Sequence, residues 1–292
     1  MKGLFNTVAL TSFILIFALS SCGDDDNDDP QNEAQCSVTN ITMISAEDDG
    51  NGNTRADTAF VQINYDTEGR VLSIIENYKE EECTMTTNCQ VDDSDYETRF
   101  AYNGSQIASI LFFEDNVELP DFSANVTYDG DRISTYRTSE PADVDEYRFV
   151  YENERITRIE FWNGTSANSL ALYETIEFSY TGNNITRTEY REENGDLTFA
   201  ISATFDDRMN PNFNNFTLFP ANLAFDDLYE LPFLFSENNP VSITSDDRID
   251  QEQFIAVVTY EYNEFGVPVS YSLAESGARD FSFDAEIVNV CE

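Results

Sequence analysis

The feature that most constrains this chain is a motif written seven times: a short run with large residues at every second position ends in an aromatic, a polar turn follows, and an apolar run leaves the turn. The turn-entry aromatics are Tyr65, Tyr102, Tyr128, Tyr151, Tyr180, Phe205 and Tyr262, at intervals of 37, 26, 23, 29, 25 and 57 residues. Repeats at this spacing are single supersecondary units that bury their apolar faces against their neighbours. In Tyr147-Arg148-Phe149-Val150-Tyr151 the large residues share one face only if the segment is extended. Asn103-Gly104 and Asp129-Gly130 offer the positive φ that tight hairpin turns require. The unit is a β-hairpin. The fold class expected is all-β, an antiparallel meander of repeated hairpins forming a strongly curled or closed sheet.

After each turn apolar residues recur three apart, as in Val71 with Ile74, Ile107 with Ile110, Ile133 with Tyr136 and Ile156 with Ile159. A flat strand sends such pairs to opposite faces, so the spacing implies either a bulge or a sheet covered on both sides. One stretch breaks the rhythm, an insertion at about 210–240 with Pro211, Pro220, Pro232 and Pro240 among six phenylalanines. Its prolines bar a central strand, and Ala221 to Tyr229 suits one short helix. Its apolar content suits a cap over an open end of the sheet more than the wall of a ligand pocket.

The amino terminus has another character. Lys2 precedes an apolar stretch from Leu4 to Leu19, and small residues lead to Cys22, as in a cleaved signal peptide. Leu19-Ser20-Ser21-Cys22 resembles the lipobox of bacterial lipoproteins, which implies diacylglycerol on the Cys22 sulfur. Several acyl chains give a stable anchor where one is marginal. The run Gly23 to Pro30, with five aspartates, reads as a solvated spacer. It also resembles the surface-export signal of Bacteroidetes lipoproteins, which implies an outer-membrane lipoprotein facing the cell exterior. The organisation expected is therefore a signal peptide over 1–21, a lipidated acidic tether over 22–35 and one β-repeat domain over 36–292.

Tyr65-Asp66 with Gly69-Arg70, and Tyr128-Asp129 with Arg132-Ile133, make the units resemble the YD-type repeats of Rhs proteins. Leader, tether and hairpins together resemble Bacteroidetes surface lipoproteins of unknown function built from such repeats. The resemblance spans about residues 58 to 271 and bears on architecture and location rather than activity.

Four cysteines remain beyond Cys22, an even number in an oxidising compartment. Of three connectivities the expected one joins Cys83 to Cys89 and Cys36 to Cys291; a zinc site competes, but the chain has no histidine and no C-x-x-C pair. Without histidine there is no serine triad, and no glycine-rich phosphate loop is present. With 56 acidic residues, a carboxylate pair at glycosidase spacing arises by chance. The chain therefore reads as non-enzymatic, with no catalytic residue and no cofactor. Its net charge of −41 repels phosphate backbones and excludes nucleic acid as a partner. Thirteen arginines and Lys79 remain once the leader is removed, and the arginines suit bidentate pairing with surface carboxylates.

Three weaker features complete the reading. Asp49, Asn51 and Asn53 resemble the front of a calcium loop, but Thr54 stands at the sharp-turn position and Phe60 where the bidentate glutamate belongs, so a solvated hairpin loop is the better reading. Asp57-Thr58-Ala59 resembles the O-glycosylation sequence of Bacteroidetes exported proteins, with Thr58 as acceptor. Trp162, the only tryptophan, is a candidate ligand contact beside a turn. The function expected is a lipid-anchored binding or scaffold module with a protein or glycan ligand. Two rivals are a glycan-binding or glycan-degrading surface lipoprotein and a periplasm-facing carrier of an apolar ligand.

Overall fold

A computed structural model describes residues 36–48, 54–84, 88–139, 143–210, 235–249, 253–277 and 281–291. The signal peptide, Cys22, the tether, the calcium-like residues Asp49, Asn51 and Asn53, and the helix expected at Ala221 to Tyr229 lie outside the described residues.

Sixteen strands form an antiparallel meander that closes on itself. In chain order they are β1 (Cys36–Asp48), β2 (Thr54–Tyr65), β3 (Val71–Thr84), β4 (Asn88–Asn103), β5 (Gln106–Glu114), β6 (Val117–Asp129), β7 (Arg132–Ser139) and β8 (Val144–Glu152). They continue with β9 (Arg155–Gly164), β10 (Ala171–Thr181), β11 (Asn184–Glu192), β12 (Leu197–Met209), β13 (Asn238–Asp247), β14 (Phe254–Tyr262), β15 (Pro268–Gly277) and β16 (Phe281–Cys291). Each strand pairs with its sequence neighbours, and β1 pairs with β16 from Cys36↔Cys291 to Ala46↔Ser282. Of the two expected forms, curled or closed, the sheet is closed, which leaves no free edge.

The three-residue apolar spacing is a bulge, repeated six times. In each copy the ladder skips one residue of the outgoing strand just after the turn-entry tyrosine has paired. The skipped residues are Leu72, Ala108, Ser134, Thr157, Thr186 and Val269. The extra residue returns the next apolar side chain to the inner face, so Ile107 and Ile110, or Ile156 and Ile159, are buried together. The turns differ slightly from expectation. Asn103 and Asp129 end their strands, and Gly104 and Gly130 (both φ 65°) open two-residue loops completed by Ser105 and Asp131. A positive φ at the first loop position alone is the pattern of a type II′ hairpin turn.

All the repeat turns lie at one end of the barrel, with the chain entry at Cys36; we call it the turn end. The loops β5–β6, β9–β10 and β11–β12 lie at the other, the loop end. Every strand contributes at least one inward residue to a single apolar cluster, from Ile41 and Met43 through Ile110, Tyr136, Ile159 and Ile185 to Leu273 and Ile287. A round sixteen-stranded barrel would leave an aqueous lumen. Side chains buried this fully have no water beside them, so the described interior is a packed core.

Candidate functional site

The turn end is held by a lock that each hairpin makes with the next. Tyr102 donates its hydroxyl to the Val71 carbonyl at 2.8 Å, Tyr151 to Ile133 at 3.0 Å, Tyr180 to Ile156 at 2.8 Å and Tyr260 to Pro240 at 3.0 Å. Tyr128 makes the equivalent bond in reverse, accepting from the Ile107 amide at 3.0 Å. Burial pushes the hydroxyls of Tyr102, Tyr151 and Tyr180 above their ordinary range, which keeps them protonated as donors. The residue at or just before the start of the outgoing strand reaches to the following turn: Arg70 to the Gly104 carbonyl at 2.5 Å, Gln106 to Gly130 at 2.8 Å and Arg155 to Gly182 at 2.7 Å. Arg70, Arg132 and Arg155 also lie over the rings of Tyr102, Tyr151 and Tyr180 at 4.7, 5.5 and 5.5 Å. The Tyr and Arg of the repeat are therefore inter-hairpin fasteners.

The lock fails at the sixth copy, where Phe205 has no hydroxyl. Here the β11–β12 ladder ends at Arg187↔Ser202, and the two strands part toward the turn end. The returning end of the insertion fills the gap. Ile185 donates its amide to Ser236 Oγ at 2.9 Å, Asn238 and Asn184 exchange two bonds of 2.9 Å, and Asn210 Nδ2 donates to the Ser236 carbonyl at 2.9 Å. Phe235 enters the core beside Phe178, with ring centroids 6.4 Å apart. The described end of the insertion thus fills the gap between β11 and β12.

Water-facing chemistry lies on the outer wall, where charged residues alternate with buried ones. Glu146 and Arg148 flank the buried Tyr147 on β8; Arg158, Glu160 and Trp162 alternate with Ile159 and Phe161 on β9; Arg187, Glu189 and Arg191 alternate with Thr188 and Tyr190 on β11. Cross-strand register joins them into a ladder. Glu146, its side chain 3% exposed, accepts from Arg137 and, at 2.6 Å, from Arg148. Arg158 meets Glu160 at 2.8 Å, and Arg191 bridges Glu177 at 3.1 Å and Glu189 at 2.5 Å, with Arg187 on Glu189 at 2.7 Å. Burial works to raise the Glu146 carboxyl, but the hydrogen bonds from Arg137 and Arg148 outweigh it and hold the group below the ordinary carboxylate range. Two outward aromatics are roofed by guanidinium: Arg148 lies 4.0 Å from the ring centre of Trp162 and Arg99 lies 3.8 Å from that of Phe113.

Trp162 therefore stands on the outer wall near the loop end, one ring face under Arg148 and its indole N–H on Glu160 Oε2 at 3.2 Å. Thr58 is exposed on the outer face of β2, while Asp57 before it is buried. Cys36 stands opposite Cys291, and Cys83 opposite Cys89, in the strand register. Glu174 on β10 pairs in register with Glu192 on β11 at the loop-end rim; burial first, and Glu192 second, push its carboxyl up to about 7. Tyr173 beside it is 64% exposed and meets Phe161 edge to face at 5.4 Å. Among the described residues no three acidic or cysteine side chains converge as a metal centre would need. Sequence reasoning missed the outer ladder, although a charge at every second position, as in Glu146-Tyr147-Arg148 or Arg187-Thr188-Glu189-Tyr190-Arg191, is its signature.

Fold and wall together define the class: a closed sixteen-stranded antiparallel barrel with a mainly apolar interior and an outer wall on which arginine–glutamate pairs stand beside exposed apolar residues such as Ile44, Val257 and Val288. No family model matches the chain, and no curated protein matches it. Among solved structures, a porin-like protein from Bacteroides uniformis is similar over 87% of this chain and 96% of its own, at 12% identity and a TM-score of 0.54. A DUF4623 family protein from Bacteroides eggerthii aligns over 83% of this chain and 57% of its own at 11% identity, with a TM-score of 0.15. At that identity the first likeness establishes a shared barrel fold, and the second carries no argument.

Proposed function

We propose that the chain is a lipid-anchored envelope protein whose barrel stands in water outside the bilayer, acting as a non-enzymatic binding or scaffold module on the cell surface. The polarity of the barrel carries this reading. A membrane-spanning barrel presents an apolar band about 25 Å tall to lipid, and a basic residue at its midplane costs about 2–4 kcal/mol. Here Arg99, Arg137, Arg148, Arg158, Arg187 and Arg191 stand on the outer wall with their carboxylates, on strands with apolar inner faces. Such a wall suits water, and the lipobox-like Cys22 supplies the attachment that the wall cannot. In an oxidising compartment the two opposed cysteine pairs are proposed as disulfides, since Cα atoms directly across an antiparallel ladder are about 4.5–5.5 Å apart, within the disulfide range.

Intact mass of the mature protein from its native envelope tests the anchor, with acyl chains on a chain that begins at Cys22 as the expected result. Protease treatment of whole cells tests the location: loss of the barrel on intact cells is expected, and protection until the outer membrane is opened would place it on the periplasmic face.

A further inference from the structure

We propose that a second copy of this chain docks on the outer wall of β12–β15, giving a two-fold dimer of barrels side by side that needs no anchor to form. The wall is not uniform. From β7 to β11 arginine–carboxylate pairs cover the outer face. From the row of Ser202 and Ile255 to the row of Thr259 and Ser272, every outward position of β12–β15 carries Ser, Thr, Ala, Val or Ile instead. Thr204, Thr244, Ile255, Val257, Thr259 and Ala274 are exposed there, while the residues between them, such as Ile243, Ala256 and Leu273, are buried. In a chain of net charge −41, most approaches of one copy to another bring carboxylates together, and this uncharged sector is where that repulsion is least.

The two borders of the sector complement each other. On β11 Arg187 pairs in register with Ser202, Ser202 with Thr244, and Thr244 with Ile255. On β16 Asp284 pairs with Ser272, and Ser272 with Thr259. Measured from the Ser242↔Val257 pair, Arg187 therefore lies two strands beyond β13 and one outward row toward the loop end, and Asp284 lies two strands beyond β14 and one outward row toward the turn end. The two sit on opposite sides of that pair at equal offsets. A two-fold axis in the contact plane, passing over Ser242 and Val257 perpendicular to the line from Arg187 to Asp284, lays Arg187 of each copy on Asp284 of the other. Both groups are available: the Arg187 side chain is 39% exposed although it holds Glu189, and Asp284 is exposed with no basic partner among the described residues. Six strands, β11 to β16, at about 4.8 Å each, with uncharged rows running about 17 Å along them, give roughly 500 Å² per copy. The pair then buries roughly 1,000 Å², the lower bound for a specific interface, so the dimer is weak and reversible. A patch that meets itself closes at two copies instead of growing into a filament.

Photo-crosslinking of the full-length protein in the cells that make it tests the contact. One variant carries p-benzoylphenylalanine at position 257; a control carries it at position 91, since Val91 on β4 is as exposed as Val257, at 50%, and lies outside the sector. Ultraviolet light should join two copies through position 257 several-fold more than through position 91, with the linked peptide falling within β11–β16. Linkage to a different protein, no linkage, or equal self-linkage from position 91 overturns the dimer. Asp284→Arg, at an exposed position with no ion pair to lose, should cut the linked fraction several-fold by setting two guanidinium groups against each other. Adding Arg187→Glu to it should restore the fraction. An unchanged fraction in the Asp284→Arg variant overturns the proposed contact, and a swap that restores nothing overturns the pairing of those two residues.

Discussion

Two glutamates show how burial and partners divide the work of a side chain. Glu146 is covered on the outer wall but held ionised by Arg137 and Arg148, whereas Glu76 points from β3 into the core between Val61 and Tyr96 with Oε1 unpartnered. Burial pushes the Glu76 carboxyl up to about 8, so the folded state keeps a proton that the unfolded chain releases near its ordinary value. The unfolded state then binds fewer protons, and this group's contribution to stability declines as pH rises from about 4.5 to 8. Urea titrations across that range should find Glu76→Gln gaining steadily on the wild type; parallel curves would show that the carboxyl is not buried neutral. Glu146→Gln should have the opposite character, losing about 1–2 kcal/mol at neutral pH because two guanidinium partners lose a charged acceptor, and the loss should shrink as the wild-type carboxylate protonates in acid.

Elements follow from the residues through register. Hairpins, turns and the buried alternation were legible in the sequence because each is local: Tyr147, Phe149 and Tyr151 lie within one strand, and Gly104 lies within one turn. The choice between a bulge and a doubly covered sheet was not, because skipping Ala108 or Thr157 is decided by what stands on the partner strand. Nor was the repair at Phe205 legible, since Ser236 meets Ile185 across 51 residues. That repair has a measurable worth. Ser236→Ala leaves the buried Ile185 amide without its acceptor and should cost about 1–3 kcal/mol, whereas Phe205→Tyr in that background recovers stability only if the tyrosine hydroxyl reaches the vacated amide. The register sets Cys36 opposite Cys291 and Cys83 opposite Cys89, and the bonds proposed there can be tested. Cys291→Ser should lower stability by about 2–4 kcal/mol under oxidising conditions and have no effect in reductant; an equal effect in both would show that Cys36 and Cys291 are not bonded.

Taken whole, the molecule is a hairpin repeat wound until its first and last strands meet, and the inner face of that repeat is mainly apolar, with Glu76 and Asp57 among the buried polar exceptions. Closure removes the edges, a packed core fills the described interior, and the arginine–carboxylate pairs of β7 to β11 give that part of the wall a polarity suited to water. Location and partner do not follow from the fold, because function resides in the residues a fold carries and one fold hosts many functions. The central claim is that this barrel belongs in water. It is tested most directly by producing the chain from residue 23 onward, without Cys22, in buffer free of detergent and following its circular dichroism and sedimentation. A soluble β-rich species with one cooperative unfolding transition is expected; a chain that aggregates in buffer and gains its β structure only in micelles or bilayers would contradict the account.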